Sequence, residues 1–208
     1  MSATRVERAP RVRPGAGRLI VLSGPSGVGK DTVLREMFDR EPRLRYSVSF
    51  TTRPPRRGER DGVSYSFIDE SEFTRMADAK EFLEWADVHG YRYGTSAARV
   101  QGALDRGEDI VLKIDVKGAA YVRSRAPSAI LIFLEPPSSD ELRKRLERRD
   151  TEDPASLVRR HGAAVAEMAE APHYDFRVVN DDIHRTATEI LAILEQRPAN
   201  GTGGQCDA

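Results

Sequence analysis

A glycine-rich turn near the start of the sequence is the first segment whose residues could do chemistry. It follows the apolar run Leu19–Leu22 and precedes a helical pattern over Asp31–Arg40. Glycines let successive backbone N–H groups point at one phosphate, and a lysine at the start of a helix adds a mobile positive charge. The pattern G-x-x-x-x-G-K therefore predicts a phosphate-binding loop. Its residues are Gly24, Pro25, Ser26, Gly27, Val28, Gly29, Lys30, Asp31 and Thr32.

The residue after the lysine of this loop departs from the usual pattern. That position commonly carries Ser or Thr, whose hydroxyl ligates Mg²⁺, whereas this chain has Asp31 followed by Thr32. A carboxylate is also an oxygen donor for Mg²⁺. The sequence leaves three arrangements open, in which the cation is held by Asp31, by Thr32, or mainly by the nucleotide and water. Asp115, at the end of an apolar run, is expected as a second acidic residue of the site, with a helix N-cap as its alternative role.

A second cluster of possible phosphate ligands lies in the segment from Arg53 to Tyr93, which is rich in arginine, glycine and tyrosine. Guanidinium groups pair with phosphate oxygens in a forked geometry, and serine and tyrosine hydroxyls add further donors. The segment therefore predicts a second phosphate site, separate from the loop, and a solvated arginine-rich turn is the alternative. The donors of this site would be Ser49, Arg53, Arg56, Tyr65 and Tyr93.

Short apolar runs alternate with helical patterns along most of the chain, and these elements must position both clusters. Fully apolar strands separated by helices predict a doubly wound α/β fold, whose parallel sheet is covered on both faces. Strands are predicted at Leu19–Leu22, Tyr46–Thr52, Asp109–Val116, Ala129–Leu134 and Phe176–Val179. Helices are predicted at Asp31–Arg40, Ala97–Arg106, Ser139–Arg148 and Ile183–Leu194. Short strands at Val63–Phe67 and Phe82–Val88 mark an insertion into this alternation.

Length and composition exclude several classes of protein. A chain of 208 residues suits one α/β domain, and 33 basic residues balance 33 acidic ones, which argues against a protein that coats nucleic acid. The longest apolar run, Ala129–Leu134, is far too short to cross a membrane. Because Cys206 is the only cysteine, no internal disulfide is possible, and we expect a cytoplasmic protein without a membrane partner.

Three strings of residues resemble the guanylate kinases over roughly Leu19 to Leu194. They are GPSGVGK, SVSFTTRPPRRGERDGVSYSF and EFLEWADVHGYRYGTS. The resemblance implies a P-loop NTPase-type fold with an inserted acceptor segment and a small helical lid. It implies ATP-dependent phosphorylation of GMP, and also dGMP, to the diphosphate with Mg²⁺. Ser49, Arg53, Arg56, Tyr65 and Tyr93 would then bind the GMP phosphate, and Glu84, Thr95 and Asp115 would bind the guanine.

The guanine assignment agrees with the chemistry of the bases. Guanine presents N1–H and a 2-amino group on one edge, and a carboxylate such as Glu84 can accept from both. Adenine has neither donor there, so it would leave a buried carboxylate unpaired. A site built in this way can reject the wrong base by as much as ~10⁴. An exposed strand carboxylate is the alternative reading of Glu84.

The resemblance also implies a lid whose arginines stabilise the phosphates of ATP during transfer. Arg145, Arg149 and Arg160 match the lid positions, with helix-surface salt bridges as the alternative, and Asn180 is expected to face the adenine. Lys30, Arg149 and Arg160 are the expected catalytic residues. Two positions depart from the family, because Asp150 replaces a glycine and Lys113 replaces an acidic residue. Because Lys113 and Asp31 are departures of opposite charge that could compensate each other, an internal ion pair between them is expected.

The expected organisation is one domain between two flexible ends. Residues 1–17 predict a disordered basic arm, 18–197 the domain, and 198–208 a flexible tail. Within the domain the core would cover 18–50, 97–140 and 170–197, the acceptor segment 51–96 and the lid 141–169. Two other functions stay open, a ribose 1,5-bisphosphate phosphokinase and a non-catalytic binding module, while a GTPase switch lacks its Asn-Lys-x-Asp motif. The sequence leaves the oligomeric state open, as monomer or homodimer.

Overall fold

A computed structural model describes residues 17–88, 90–149 and 162–196, without the side chains of residues 148 and 149. The predicted arm up to residue 16, the tail, Asp150 and Arg160 lie outside the described residues. The strands are β1 Leu19–Ser23, β2 Arg45–Tyr46, β3 Phe50–Thr51, β4 Ser66–Phe67, β5 Phe82–Val88, β6 Tyr91–Ser96, β7 Ile110–Lys113, β8 Ile130–Glu135 and β9 Phe176–Val179. The helices are α1 Lys30–Arg40, α2 Glu70–Asp78, α3 Ala97–Asp105, α4 Val116–Arg125, α5 Ser139–Arg149, α6 with described residues 162–168, and α7 Ile183–Gln196.

A five-stranded parallel sheet in the order β2-β7-β1-β8-β9 forms the centre of the fold. Alternate residues of β1 point to opposite faces, as the pleat of a strand requires. Ile20 and Leu22 pack with buried residues of α1 and α7, while Leu19 and Val21 pack with those of α3 and α4. The sheet is therefore covered on both faces, and the predicted doubly wound α/β fold of the P-loop NTPase type is confirmed.

The prediction of one strand over Tyr46–Thr52 is wrong. Arg45–Tyr46 joins the central sheet beside β7, whereas Phe50–Thr51 belongs to a second sheet. The three residues between these strands carry the chain from one sheet to the other. Ser47 N–H donates to Val111 O at 3.0 Å on the core side, and Ser49 O accepts from Ser66 N–H at 2.8 Å on the other side. A run of alternating residues suits either sheet, so its pattern does not show where the chain crosses.

The inserted segment, residues 51–96, forms most of a mixed four-stranded sheet in the order β4-β3-β6-β5. Helix α2, which the sequence analysis did not predict, covers this sheet through Phe73 and Met76, which form one buried cluster with Phe82. The predicted strand Val63–Phe67 shortens to β4, because residues before it are held in turns by Ser64 N–H, which donates to Arg60 O at 2.9 Å. The insertion thus has a small core of its own.

Two further elements reach the start of α1 from the other side. In α5, Leu142 and Leu146 pack with Ala164 of α6 in a small buried cluster. Ser138 caps α5, because its Oγ accepts from Glu141 N–H at 3.1 Å. Within the described ranges, no helix has both the length and the apolar character that crossing a bilayer would require.

Candidate active site

The glycine-rich turn links β1 to α1 in a backbone conformation that only glycine adopts easily. Gly24 and Gly29 have φ angles of 139° and 105°, in the left-handed region. A Cβ atom on Gly24 would lie 2.4 Å from Leu134 O, and one on Gly29 would lie 2.6 Å from Asn180 Nδ2. The turn is therefore fixed by the packing of β8 and of the residues after β9, as a rigid phosphate cradle requires.

Lys30 begins α1 and folds back over the turn. Its ammonium donates to Gly24 O at 2.5 Å and to Pro25 O at 3.1 Å. Burial lowers the pKa of Lys30 to about 8, and the negative charge of Glu167 opposes the shift most strongly. A phosphate group beside this ammonium would favour its charged form.

A carboxylate from α6 occupies the anion-binding side of the turn. Glu167 Oε2 accepts from the backbone N–H of Ser26 at 2.9 Å. This N–H belongs to the set that a phosphate-binding loop offers to its ligand. No pattern near Glu167 in the sequence could have revealed the contact, because the two residues are 141 positions apart.

The predicted ion pair between Asp31 and Lys113 is present, with Asp31 Oδ1 at 2.5 Å from Lys113 Nζ. Burial alone would lower the pKa of Lys113, but the nearby Tyr46, Tyr65 and Asp31 outweigh it and hold the pKa above its usual value. Asp31 is half-exposed at the loop, whereas Thr32 lines a groove between α1 and the start of α7. Asp31 is therefore the better placed of the two possible cation ligands.

The second predicted phosphate cluster brings three of its five members together. Arg53 is buried and donates through Nε to Tyr93 Oη at 3.1 Å, while its guanidinium lies 5.5 Å from the ring centre of Tyr65. Glu59, which the sequence analysis did not select, accepts from Arg53 Nη2 at 2.8 and 2.9 Å. Burial alone would lower the pKa of Arg53. The hydrogen bonds and charges of Glu59 and Tyr93 outweigh burial, so the pKa of Arg53 lies above its usual value.

The remaining two members of that cluster lie nearby in different settings. Ser49 is buried on the crossing between the sheets. Arg56 is exposed, and its backbone N–H donates to Glu59 Oε2 at 2.7 Å. Glu59, the acid of the string RRGER, thus organises the turn that carries Arg53 and Arg56. Because this acid is part of the sequence motif, its role could have been predicted from the sequence.

The three predicted guanine ligands lie around one buried carboxylate. Glu84 is 4% exposed and accepts from Thr95 Oγ1 at 2.5 Å, across the β5–β6 pair. Burial raises the pKa of Glu84 to about 7, the Thr95 hydrogen bond opposes this, and the charge of Asp115 adds to it. Asp115 caps α4 by accepting from Gly118 N–H at 2.8 Å. The alternative role of Asp115 as an N-cap is therefore confirmed. In this position the Asp115 carboxylate also lies near Glu84.

Arg145 and Asn180 both hold the backbone of the phosphate-binding turn. Arg145 Nη1 and Asn180 Nδ2 donate to Val28 O at 3.1 and 2.8 Å. Arg145 also donates to Glu141 at 3.0 Å, one of the helix-surface salt bridges weighed as an alternative. Arg149 ends α5, but its side chain is not among those described. The Arg145 contact places α5 beside the loop.

Comparisons with known proteins agree on one family. The sequence model described as Guanylate kinase matches residues 16–197. The chain is 47% identical over 188 residues to the guanylate kinase of Thermobifida fusca, covering 88% of this chain and 96% of that protein. It is 45% identical over 178 residues to the guanylate kinase of Alkalilimnicola ehrlichii, covering 86% and 88%. The crystal structure of guanylate kinase from Anaplasma phagocytophilum matches with a TM-score of 0.72 at 33% identity, covering 88% of this chain and 87% of that one.

Proposed function

This chain belongs to the guanylate kinase family, and from that premise we propose that it transfers the γ-phosphate of ATP to GMP. The observation that carries the proposal is the buried carboxylate of Glu84, which is held by Thr95 and lies beside Asp115. A buried acceptor of this kind needs donors from its ligand, and the N1–H and 2-amino groups of guanine supply them. The reaction then gives GDP and ADP.

ATP would occupy the glycine-rich turn. Its phosphates would accept from the backbone N–H groups of the turn, including the Ser26 N–H that donates to Glu167. Lys30 would contact the outer phosphates. Arg145, Arg149 and Arg160 would stabilise the transferring group from the proposed lid, and Asn180 would lie near the adenine. Fixed positive groups of this kind act on charge that develops in the transition state.

The residues at the turn fit a magnesium ion. Mg²⁺ prefers carboxylate oxygens together with substrate phosphates, and the carboxylate of Asp31 lies next to Lys30 at the start of α1. We propose Asp31 rather than Thr32 as the protein ligand. When bound, the ion supplies charge neutralisation and alignment of the phosphate oxygens.

GMP would bind with its phosphate at the arginine–tyrosine cluster and its base at Glu84. Arg53, Tyr65 and Tyr93 already contact one another, and the phosphate would take the place of Glu59 on the Arg53 fork. Ser49 and Arg56 would complete this phosphate site. No general base is required, because a phosphate monoester with a second pKa of about 6 is an oxygen nucleophile at neutral pH. An oxygen of the GMP phosphate attacks the γ-phosphorus of ATP. The bond between the γ-phosphorus and the β–γ bridging oxygen breaks, and this oxygen leaves with ADP.

We also propose that the protein acts in the cytoplasm on these small nucleotides rather than on nucleic acid. The test is a steady-state assay with ATP and Mg²⁺ and with GMP, dGMP, AMP, CMP, UMP or ribose 1,5-bisphosphate as the acceptor. The proposal expects GMP to have the highest kcat/KM, by roughly 10³-fold or more over AMP. Comparable use of AMP would contradict the role of Glu84, and preferred use of the sugar phosphate would contradict the proposal as a whole.

A further inference from the structure

Lys113 stands at the point where the two phosphate sites face each other. It is the last residue of β7, and its register partner in β1 is Leu22, two residues before Gly24 of the phosphate-binding turn. Ligands of open parallel sheets bind beyond the carboxyl ends of the strands, which is where Lys113 lies. Its side chain is only 12% exposed. A cation this deeply placed must be matched by anionic groups or by a ligand.

The ammonium of Lys113 contacts parts of both sites. On the loop side it pairs with Asp31 in the first turn of α1. On the acceptor side it lies 5.0 Å from the ring centre of Tyr65, and the same ring lies 5.5 Å from the guanidinium carbon of Arg53. Its charge also lowers the pKa of Lys30, so the two lysines share one electrostatic environment. Lys113 and Arg53 thus approach the acceptor cluster with Tyr65 between them.

We propose that Lys113 contacts the phosphate of the acceptor nucleotide, and that Asp31 holds its ammonium in place while the acceptor site is empty. The inference rests on the proposed function. An ammonium group has three donors, so it can keep a carboxylate partner and still donate to a phosphate oxygen. When GMP is present, Lys113 screens the negative charge between its phosphate and the phosphates of ATP. This is the charge that otherwise opposes their approach.

The two members of the pair have opposite expected effects on GMP binding. Removing the charge of Lys113 removes a charge-assisted hydrogen bond, which weakens GMP binding by roughly 10-fold to 100-fold. Removing the charge of Asp31 frees the ammonium for the phosphate, which strengthens GMP binding by roughly twofold to fivefold. A salt bridge with a purely structural role would weaken binding in both variants.

The experiment is calorimetric titration of the full chain with GMP and with guanosine, in the absence of ATP and Mg²⁺. The variants are Lys113→Met, Lys113→Arg and Asp31→Asn, with Lys144→Met as a matched control at an exposed lysine of α5. We expect Lys113→Met to weaken GMP binding while guanosine binding stays unchanged, because guanosine has no phosphate. We expect Lys113→Arg to restore most of the affinity. Thermal melting of each variant keeps a folding defect separate from a binding defect.

The outcomes separate this inference from the proposed function. If the wild type neither binds nor phosphorylates GMP, the proposed function fails, and the inference fails with it. If the wild type does both but Lys113→Met binds GMP as tightly as the wild type, only the role of Lys113 is overturned. An equal loss of GMP and guanosine affinity would also overturn it, because the effect would then lie outside the phosphate. If Lys113→Met does not fold, Lys113→Gln provides the same comparison.

Discussion

Replacing Glu84 with glutamine tests whether this buried carboxylate is kept for binding at a cost in stability. Burial raises its pKa from 4.5 to about 7, so the folded protein binds a proton that the unfolded chain has already released between those pH values. The free energy of unfolding must therefore fall as the pH rises from about 4.5 to about 7. A shift of this size corresponds to about 3 kcal/mol.

Glutamine has nearly the same shape as glutamate and does not ionise. Its carbonyl oxygen can still accept from Thr95 Oγ1, and its amide can donate toward Asp115, whose carboxylate also lies beside Gly118. We therefore expect Glu84→Gln to be more stable than the wild type at pH 8, by up to about 3 kcal/mol, and to lose most of that advantage near pH 5. The GMP kcat/KM should fall by roughly 10²-fold to 10⁴-fold, because the amide presents a donor to the donors of guanine.

Urea unfolding at pH 5 and pH 8 measures the first effect, and steady-state kinetics with GMP and AMP measures the second. Glu189→Gln, at an exposed position of α7, controls for the general effect of removing a negative charge. If Glu84→Gln and the wild type show the same change in stability between the two pH values, then burial does not raise the pKa of Glu84 in the folded protein. A variant that gained stability but kept its preference for GMP over AMP would refute the role of Glu84 in base recognition.

Four other predictions follow from groups in the same site. GMP should bind the free protein roughly tenfold more weakly at pH 6 than at pH 8, because Glu84 has a pKa of about 7, and titration of Glu84→Gln should show only the ionisation of the nucleotide phosphate. ATP binding to the free protein should weaken above about pH 8, where Lys30 loses its proton, and an unchanged affinity up to pH 9.5 would contradict that assignment. Glu167→Gln should bind ATP roughly twofold to tenfold more tightly, because its weaker hydrogen bond to Ser26 competes less with phosphate, and weaker binding would show that Glu167 supports the site instead. Gly118→Ala should weaken GMP binding by tenfold or more while leaving ATP binding intact, because the added Cβ would lie 2.7 Å from Glu84 Oε2, and calorimetry with each nucleotide would reveal an equal effect on both.

Local sequence patterns predicted the elements and the ligand-binding turn, because both depend on residues close together in the chain. The turn before Lys30 and the apolar strands of the sheet belong to this class. Helix α2 and strand β6 did not stand out, because the few apolar residues of the insertion's small core, such as Phe73 and Met76, are scattered among polar residues in the sequence. The pattern over residues 46–52 could not show the crossing between sheets, because the same alternation serves both.

The candidate site was predicted residue by residue, but the carboxylates that pair with its donors were not. Glu59 on Arg53 and Glu167 on the loop became visible only from their positions in space. Both are carboxylates that stand where a phosphate is proposed to bind. A pattern of ligand-binding residues describes the bound state, and it carries no information on which internal groups neutralise those residues beforehand. The pairing of Lys113 with Asp31 could be predicted from the sequence, because both residues depart from the usual pattern and they carry opposite charges.

The carboxylate of Glu167 gives the phosphate-binding turn an internal competitor. A group tethered in the same chain acts at an effective concentration on the order of millimolar or more. An arriving anion must outcompete it, and a small singly or doubly charged ion such as inorganic phosphate gains few contacts for doing so. A triphosphate engages several N–H groups and Lys30 at once, and it therefore displaces the carboxylate more readily. Discrimination among the anions of the cell would then begin at this turn, before any base has been recognised.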